Sequence, residues 1–141
     1  MLKLLSDLNL CQRVEISSTS VFATAVQGTW VQPDATAPIA GGAGFPIWTE
    51  SNRDDTVGWT PDTEATGKLT ILVGTHRAIT DQYSDGGNIA IGTELRLDTS
   101  GLLCPATPGT HHVVAIAETA VDTDYEYLGT TYSGVITYIT T

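Results

Sequence analysis

Apolar residues recur at every second position in short runs along this chain, and clusters of turn formers separate the runs. Leu95 and Leu97 alternate with Glu94, Arg96 and Asp98, the two-residue period of a strand with one buried face. Asp98-Thr99-Ser100-Gly101 follows with turn formers and a glycine able to take positive φ, so the chain is predicted to double back into Leu102-Leu103 as a hairpin. The stretch from Ile89 to Glu118 as a whole reads as strand, tight turn, short strand, Pro/Gly corner, strand. Its last part, from His111, is nearly continuous in apolar residues, as expected of a strand covered on both faces.

The same reading extends to both sides. Lys68 to Gly74 is the strongest single strand, with Leu69, Ile71 and Val73 on one face and Thr70 and Leu72 on the other, both faces covered. Arg13 to Ile16, Val21 to Val26, Trp30-Val31, Phe45 to Trp48, Arg77 to Thr80, Tyr125 to Tyr127 and Gly134 to Thr140 complete a set of roughly ten short strands spaced by turns, the pattern of a sandwich or barrel. Tyr83 to Asn88 is a turn signal, and Pro33 ends the strand at Trp30-Val31 because proline cannot donate to a central ladder. In Met1 to Leu10, Leu2, Leu5 and either Leu4 or Leu8 fall on one side of a helix, which predicts a short helical turn docked on its own domain or an arm reaching a neighbour. The predicted organisation is an amino-terminal arm over residues 1–12 and one β domain over 13–141, with a Gly/Pro-rich and acidic loop insertion at 33–67. The fold class is all-β: a compact antiparallel barrel or sandwich with the short arm and the long acidic loop.

Composition supports that class and narrows the partners. Twenty-three Thr, ten Val and ten Ile favour pleated structure, because β-branched side chains are stiff at χ1 and pack well on sheets. The 141 residues make one domain large enough to bury about 68–70% of its unfolded surface. Sixteen acidic against six basic residues give a net charge of −10, which repels phosphate backbones and anionic lipid, so neither nucleic acid nor a membrane is expected as partner. No apolar run approaches the length of a membrane span. Met1 to Cys11 has the early lysine, leucines and cysteine of a lipoprotein signal, but Ser6, Asp7 and Asn9 interrupt its apolar region and Leu10 stands where a small residue belongs. The product is expected to be soluble and made in the cytoplasm, with Cys11 and Cys104 as free, partly buried thiols.

Candidate chemistry is sparse. His111-His112 with Asp122 and Asp124 offers metal-ligand residue types, yet neighbouring strand residues point to opposite faces, and His76 is the one further histidine. Asp54-Asp55 and Asp122-x-Asp124 lack the calcium-loop pattern. Gly41-Gly42-Ala-Gly44 lacks phosphate-loop spacing, and no Gly-x-Ser-x-Gly elbow is present. Cys104 sits at an apolar strand end with no base beside it in sequence. The expectation is therefore no catalytic residue, no metal and no cofactor. Trp30, Trp48 and Trp59 read as core, protein interface or sugar-stacking platforms.

Three segments, taken in order, resemble a known class. Gly28-Thr-Trp30 precedes an Ala/Pro/Gly loop and Phe45-Pro-Ile-Trp48-Thr. Lys68 to Gly74 is followed by Thr80-Asp81-Gln-Tyr83. Gly92-Thr-Glu-Leu95 leads through Ser100-Gly101-Leu-Leu to His112-Val-Val-Ala-Ile-Ala117. This ordering resembles the small β-rich head decoration, or cement, proteins of tailed bacteriophages, over roughly Gly28 to the carboxyl terminus. The resemblance implies a β-tulip-like version of that fold and a non-enzymatic virion protein on the capsid exterior, made in the host cytoplasm, that binds the major capsid protein at junctions between subunits as a homotrimer. Leu2, Leu5, Trp30, Phe45, Trp48 and Trp59 are the interface candidates. The alternatives are a tail or baseplate component, a carbohydrate-binding module, or a small hydrolase.

Overall fold

Ile71 and Leu72 are neighbours pointing to opposite faces of one strand, and they are 2% and 1% exposed. A strand buried on both sides must lie inside a layered structure, and the computed structural model shows which layers. It describes residues 1–5, 11–17, 26–33, 36–48 and 68–141. These contain β1 (Leu2–Leu4), β2 (Cys11–Ser17), β3 (Trp30–Val31), β4 (Phe45–Trp48), β5 (Lys68–Gly74) and β6 (Arg77–Thr80). They continue with β7 (Glu94–Leu97), β8 (Leu103–Pro105), β9 (Ala115–Ala117), β10 (Tyr125–Tyr127), β11 (Thr130–Tyr132) and β12 (Ile136–Thr140).

The strands form a six-stranded sheet in the order β1-β6-β12-β9-β7-β8, a four-stranded sheet β2-β5-β4-β3 and the two-stranded hairpin β10-β11. All these pairings are antiparallel. The two larger sheets face each other across one core. Leu2, Ala78, Leu95, Leu97, Leu103, Ala115, Ala117, Ile136 and Tyr138 come from the six-stranded sheet, and Cys11, Trp30 and Leu72 from the other. The class is all-β and sandwich-like, and the sheets are not closed into a barrel: among the described residues β1 and β8 stand at opposite edges of their sheet.

The amino terminus is where the structure departs most from expectation. Leu2–Leu4 is a strand, not a helical turn, and it pairs with β6 in the register Leu2↔Thr80, Lys3↔Ile79, Leu4↔Ala78. The reason is that β6 offers a free edge, and three residues too few for a stable helix gain a ladder of backbone hydrogen bonds there. The end of the strand is fixed further by the Met1 amino group, 2.6 Å from the Asp81 carboxylate, and by the Thr80 hydroxyl, which donates to the Met1 carbonyl at 2.8 Å. Other expectations meet smaller changes. His111 to Val114 lies outside β9, because the turn after Pro105 takes up Thr107 to His111. Thr130–Tyr132 is an additional strand. Val21 to Ala25 and the acidic stretch at 49–67 lie outside the described residues.

The predicted hairpin is β7-β8, in the register Leu95↔Pro105 and Leu97↔Leu103. Asp98 holds its turn: one carboxylate oxygen accepts the backbone N–H groups of Ser100 at 2.8 Å and Leu102 at 3.0 Å, and the other accepts the Ser84 hydroxyl at 3.1 Å. Three donors on one carboxylate make Asp98→Ala costly, with an expected loss of about 2 kcal/mol in urea-unfolding stability. Asp98→Asn keeps an acceptor oxygen and is expected to lose less; equal midpoints for Asp98→Ala and the parent chain would contradict this role.

Candidate interaction surface

The chain crosses between the sheets at Gly74-Thr75-His76, leaving β5 and entering β6. His76 is buried in that corner at 2% exposure. Its Nδ1 lies 3.1 Å from the Gly74 carbonyl and its Nε2 3.0 Å from the Tyr138 hydroxyl. The carbonyl can only accept, so Nδ1 carries the proton and the tyrosine donates to Nε2. Tyr138 meets the imidazole edge-on with centroids 5.5 Å apart, and Trp30 packs against both rings at 6.2 and 6.1 Å. Burial pushes the His76 pKa down, opposed by the Gly74 hydrogen bond, and pushes the Tyr138 phenol up. Both imidazole nitrogens are committed, so this histidine is a polar clasp across the core with no lone pair left to offer a substrate.

Beside it opens a cavity of about 250 Å³ lined by Trp30, Phe45, Pro46, Leu72, His76 and Val114, with His112 at its margin. Among the described residues the Trp30 indole N–H is buried without a partner. The remaining candidates do not converge. His111 is anchored locally, its Nδ1 accepting the Thr107 N–H at 2.9 Å. Asp122 bridges to Val135 at the start of β12, whereas His112 lies near the end of β12 by Thr140. Among the described residues no three His, Cys, Asp or Glu side chains form a metal-binding group. Cys11 and Cys104 are free and buried, and burial raises both thiol pKa values.

The expected interface residues separate sharply. Leu2 and Trp30 are buried in the chain's own core, at 1% and 3% exposure, and present no surface. They are apolar residues on inward-facing strand positions, which the sequence reading did not distinguish from a contact patch. Phe45 and Trp48 are half-buried, and Arg13 sits 6.0 Å from the Trp48 ring. Leu5 is partly exposed where β1 ends, and Trp59 lies outside the described residues.

A further exposed apolar feature lies elsewhere. The hairpin β10-β11 pairs Tyr125 with Tyr132 and Tyr127 with Thr130, so alternation puts the three tyrosines on one face. Lys3 of β1 crosses that face, donating to the Tyr125 hydroxyl at 3.2 Å and lying 5.9 and 5.4 Å from the Tyr125 and Tyr127 rings. The two-residue loop is Leu128-Gly129, with φ of 51° and 77°, positive at both positions as a type I′ turn requires. Glycine accepts that conformation freely, whereas a leucine there costs about 1–2 kcal/mol. Leu128 is nonetheless 58% exposed. The sequence did contain the signal, an apolar-Gly pair between alternating tyrosines, but Thr130 and Thr131 offer no apolar period to mark the returning strand.

No protein-family model matches the chain, and neither a curated protein nor a solved structure matches it.

Proposed function

We propose that this chain is a non-enzymatic capsid-decorating protein that binds the outside of a phage shell at junctions between major-capsid subunits, as a homotrimer, and stabilises the shell. The observation that supports this reading is the fate of the segment resembling cement proteins. Gly92 to Ala117 folds as one unit, β7 and β8 joined by the Asp98–Gly101 turn, with β9 beside β7. A cement protein needs a rigid body that presents many weak contacts matched only by the assembled lattice, so that each bound copy stabilises that state by mass action. A two-sheet sandwich supplies rigidity, and self-association multiplies contacts through effective concentration. The net charge of −10 keeps free subunits apart in solution until a complementary surface is met.

The test is light scattering after size exclusion together with co-sedimentation on expanded shells. Stoichiometric recruitment to shells, by a chain that runs as a trimer or by a monomer that trimerises on the shell, is the expected result. A monomer that stays in the supernatant would sink the reading.

A further inference from the structure

Register gathers three of the exposed apolar side chains and four exposed carboxylates at one end of the six-stranded sheet. β9 finishes at Ala117, opposite Tyr138 of β12 and one residue past Ile116, the partner of Glu94 at the start of β7; β12 begins two residues before Tyr138, at Ile136, which is level with Thr80 at the end of β6 and Leu2 at the start of β1. The turn at Ile91, the tyrosine hairpin and the Val26–Gly28 turn, whose Gln27 carbonyl accepts from the Met1 amino group, therefore gather at the same end. Ile91 is 77%, Leu128 58% and Val26 38% exposed.

Among the described residues, unpaired carboxylates gather at the same end. Glu94, Asp122, Asp124 and Glu126 are exposed at this end and join no ion pair among the described residues. The cations nearby are engaged: Lys3 lies against the tyrosine rings and Arg77 holds Glu118. At the far end of the six-stranded sheet Asp98 turns its carboxylate onto backbone N–H groups of its own turn.

From this we infer that the hairpin end is the docking surface, and that its partner is a protein surface with an apolar hollow for Leu128 ringed by lysine or arginine side chains. The inference rests on the shell-binding reading and places that basic, hollowed surface on the shell's exterior. Opposite charge steers the approach and sets the orientation, while the apolar tip, mounted on a two-stranded arm braced by Lys3, supplies the desolvated centre that interfaces need. A second copy presenting the same end is the poorer occupant, because two acidic ends would repel each other; the trimer contacts are then made by other faces.

The experiment uses co-sedimentation of the full chain with expanded shells. Leu128→Asn replaces the strained leucine by a residue suited to positive φ, so folding is preserved or improved, and Ile91→Ser removes the other strongly exposed apolar side chain at this end. The double variant is expected to bind shells about tenfold more weakly or worse, with an unchanged or raised melting temperature. Ile39→Ser, equally exposed but tied through Gly41 to the other end of β7 at Leu97, is expected to bind like the parent. Raising ionic strength is expected to weaken the parent. Undiminished binding by the double variant, or loss in Ile39→Ser instead, would overturn the docking surface alone. Failure of the parent chain to co-sediment would overturn both this inference and the shell-binding reading.

Discussion

Gly101→Ala is expected to destabilise the chain by about 3–5 kcal/mol, the sum of backbone strain and overpacking. Gly101 has φ of 77°, and a Cβ added there would lie 2.4 Å from the Trp30 carbonyl oxygen and 3.0 Å from its amide nitrogen. Neither atom is free to move, since Trp30 N–H donates to the Gly101 carbonyl at 2.8 Å and β3 is paired to β4. The hairpin turn of one sheet is thus pressed onto the backbone of the other, and an alanine must separate them. Gly129→Ala is the control: its φ is also 77°, but nothing lies within 4 Å of the added carbon, so it should cost only the conformational strain of about 1–2 kcal/mol. Thermal and urea unfolding should show a fall of about 10 °C for Gly101→Ala and a much smaller one for Gly129→Ala. Equal losses in the two variants would mean that the contact with Trp30 contributes nothing.

Acid should destabilise the fold through His76. Its pKa is lowered from 6.5 in the folded chain, chiefly by burial, so the unfolded chain binds the proton more readily. Stability is then full above about pH 7 and falls as pH drops through the unfolded value, by up to about 1.4 kcal/mol per pH unit until the folded imidazole also protonates. The clasp with Tyr138 has the opposite limb. Its phenol is raised above 10.0 by burial, so the unfolded chain ionises first and stability is lost as pH rises past about 10. Urea midpoints between pH 8 and 5 should separate the parent from His76→Gln, whose amide can still meet the tyrosine hydroxyl but does not titrate. Parallel curves for the two would remove His76 from the account.

Much of this architecture was legible because a two-residue period survives wherever one face is buried. β7 follows its alternating Leu95 and Leu97, β12 its alternating Ile136 and Tyr138, β5 its doubly covered Ile71 and Leu72, and the Asp98–Gly101 turn follows its residue chemistry. The failures have physical reasons as well. Leu2, Leu4 and Leu5 satisfy both helical and strand periods, and only the distant edge of β6 decides between them. Thr130–Tyr132 is a strand by pairing with β10, with no apolar face of its own. The apolar run from His111 reads as one strand, but its first residues are drawn into a turn closed by Thr107. His76 and Tyr138 are separated by 62 residues, so nothing local announces that the histidine is a core clasp and not a ligand. At the candidate surface, apolar character alone did not separate Leu2 and Trp30, which face inward, from Leu128 and Ile91, which do not.

The placement of β6 between β1 and β12 also sets the order in which the molecule can come into being. Its two neighbours lie on either side of it in sequence, one at Leu2–Leu4 and the other at Ile136–Thr140, so each pairing closes a long loop before it is rewarded. During synthesis the β7-β8 hairpin and β9 can assemble early, as can β2 on β5, but the middle of the six-stranded sheet stays open until β12 leaves the ribosome. Such non-local topology belongs to chains that fold in milliseconds to seconds, and in that interval the facing edges of β6 and β9 are both unpaired.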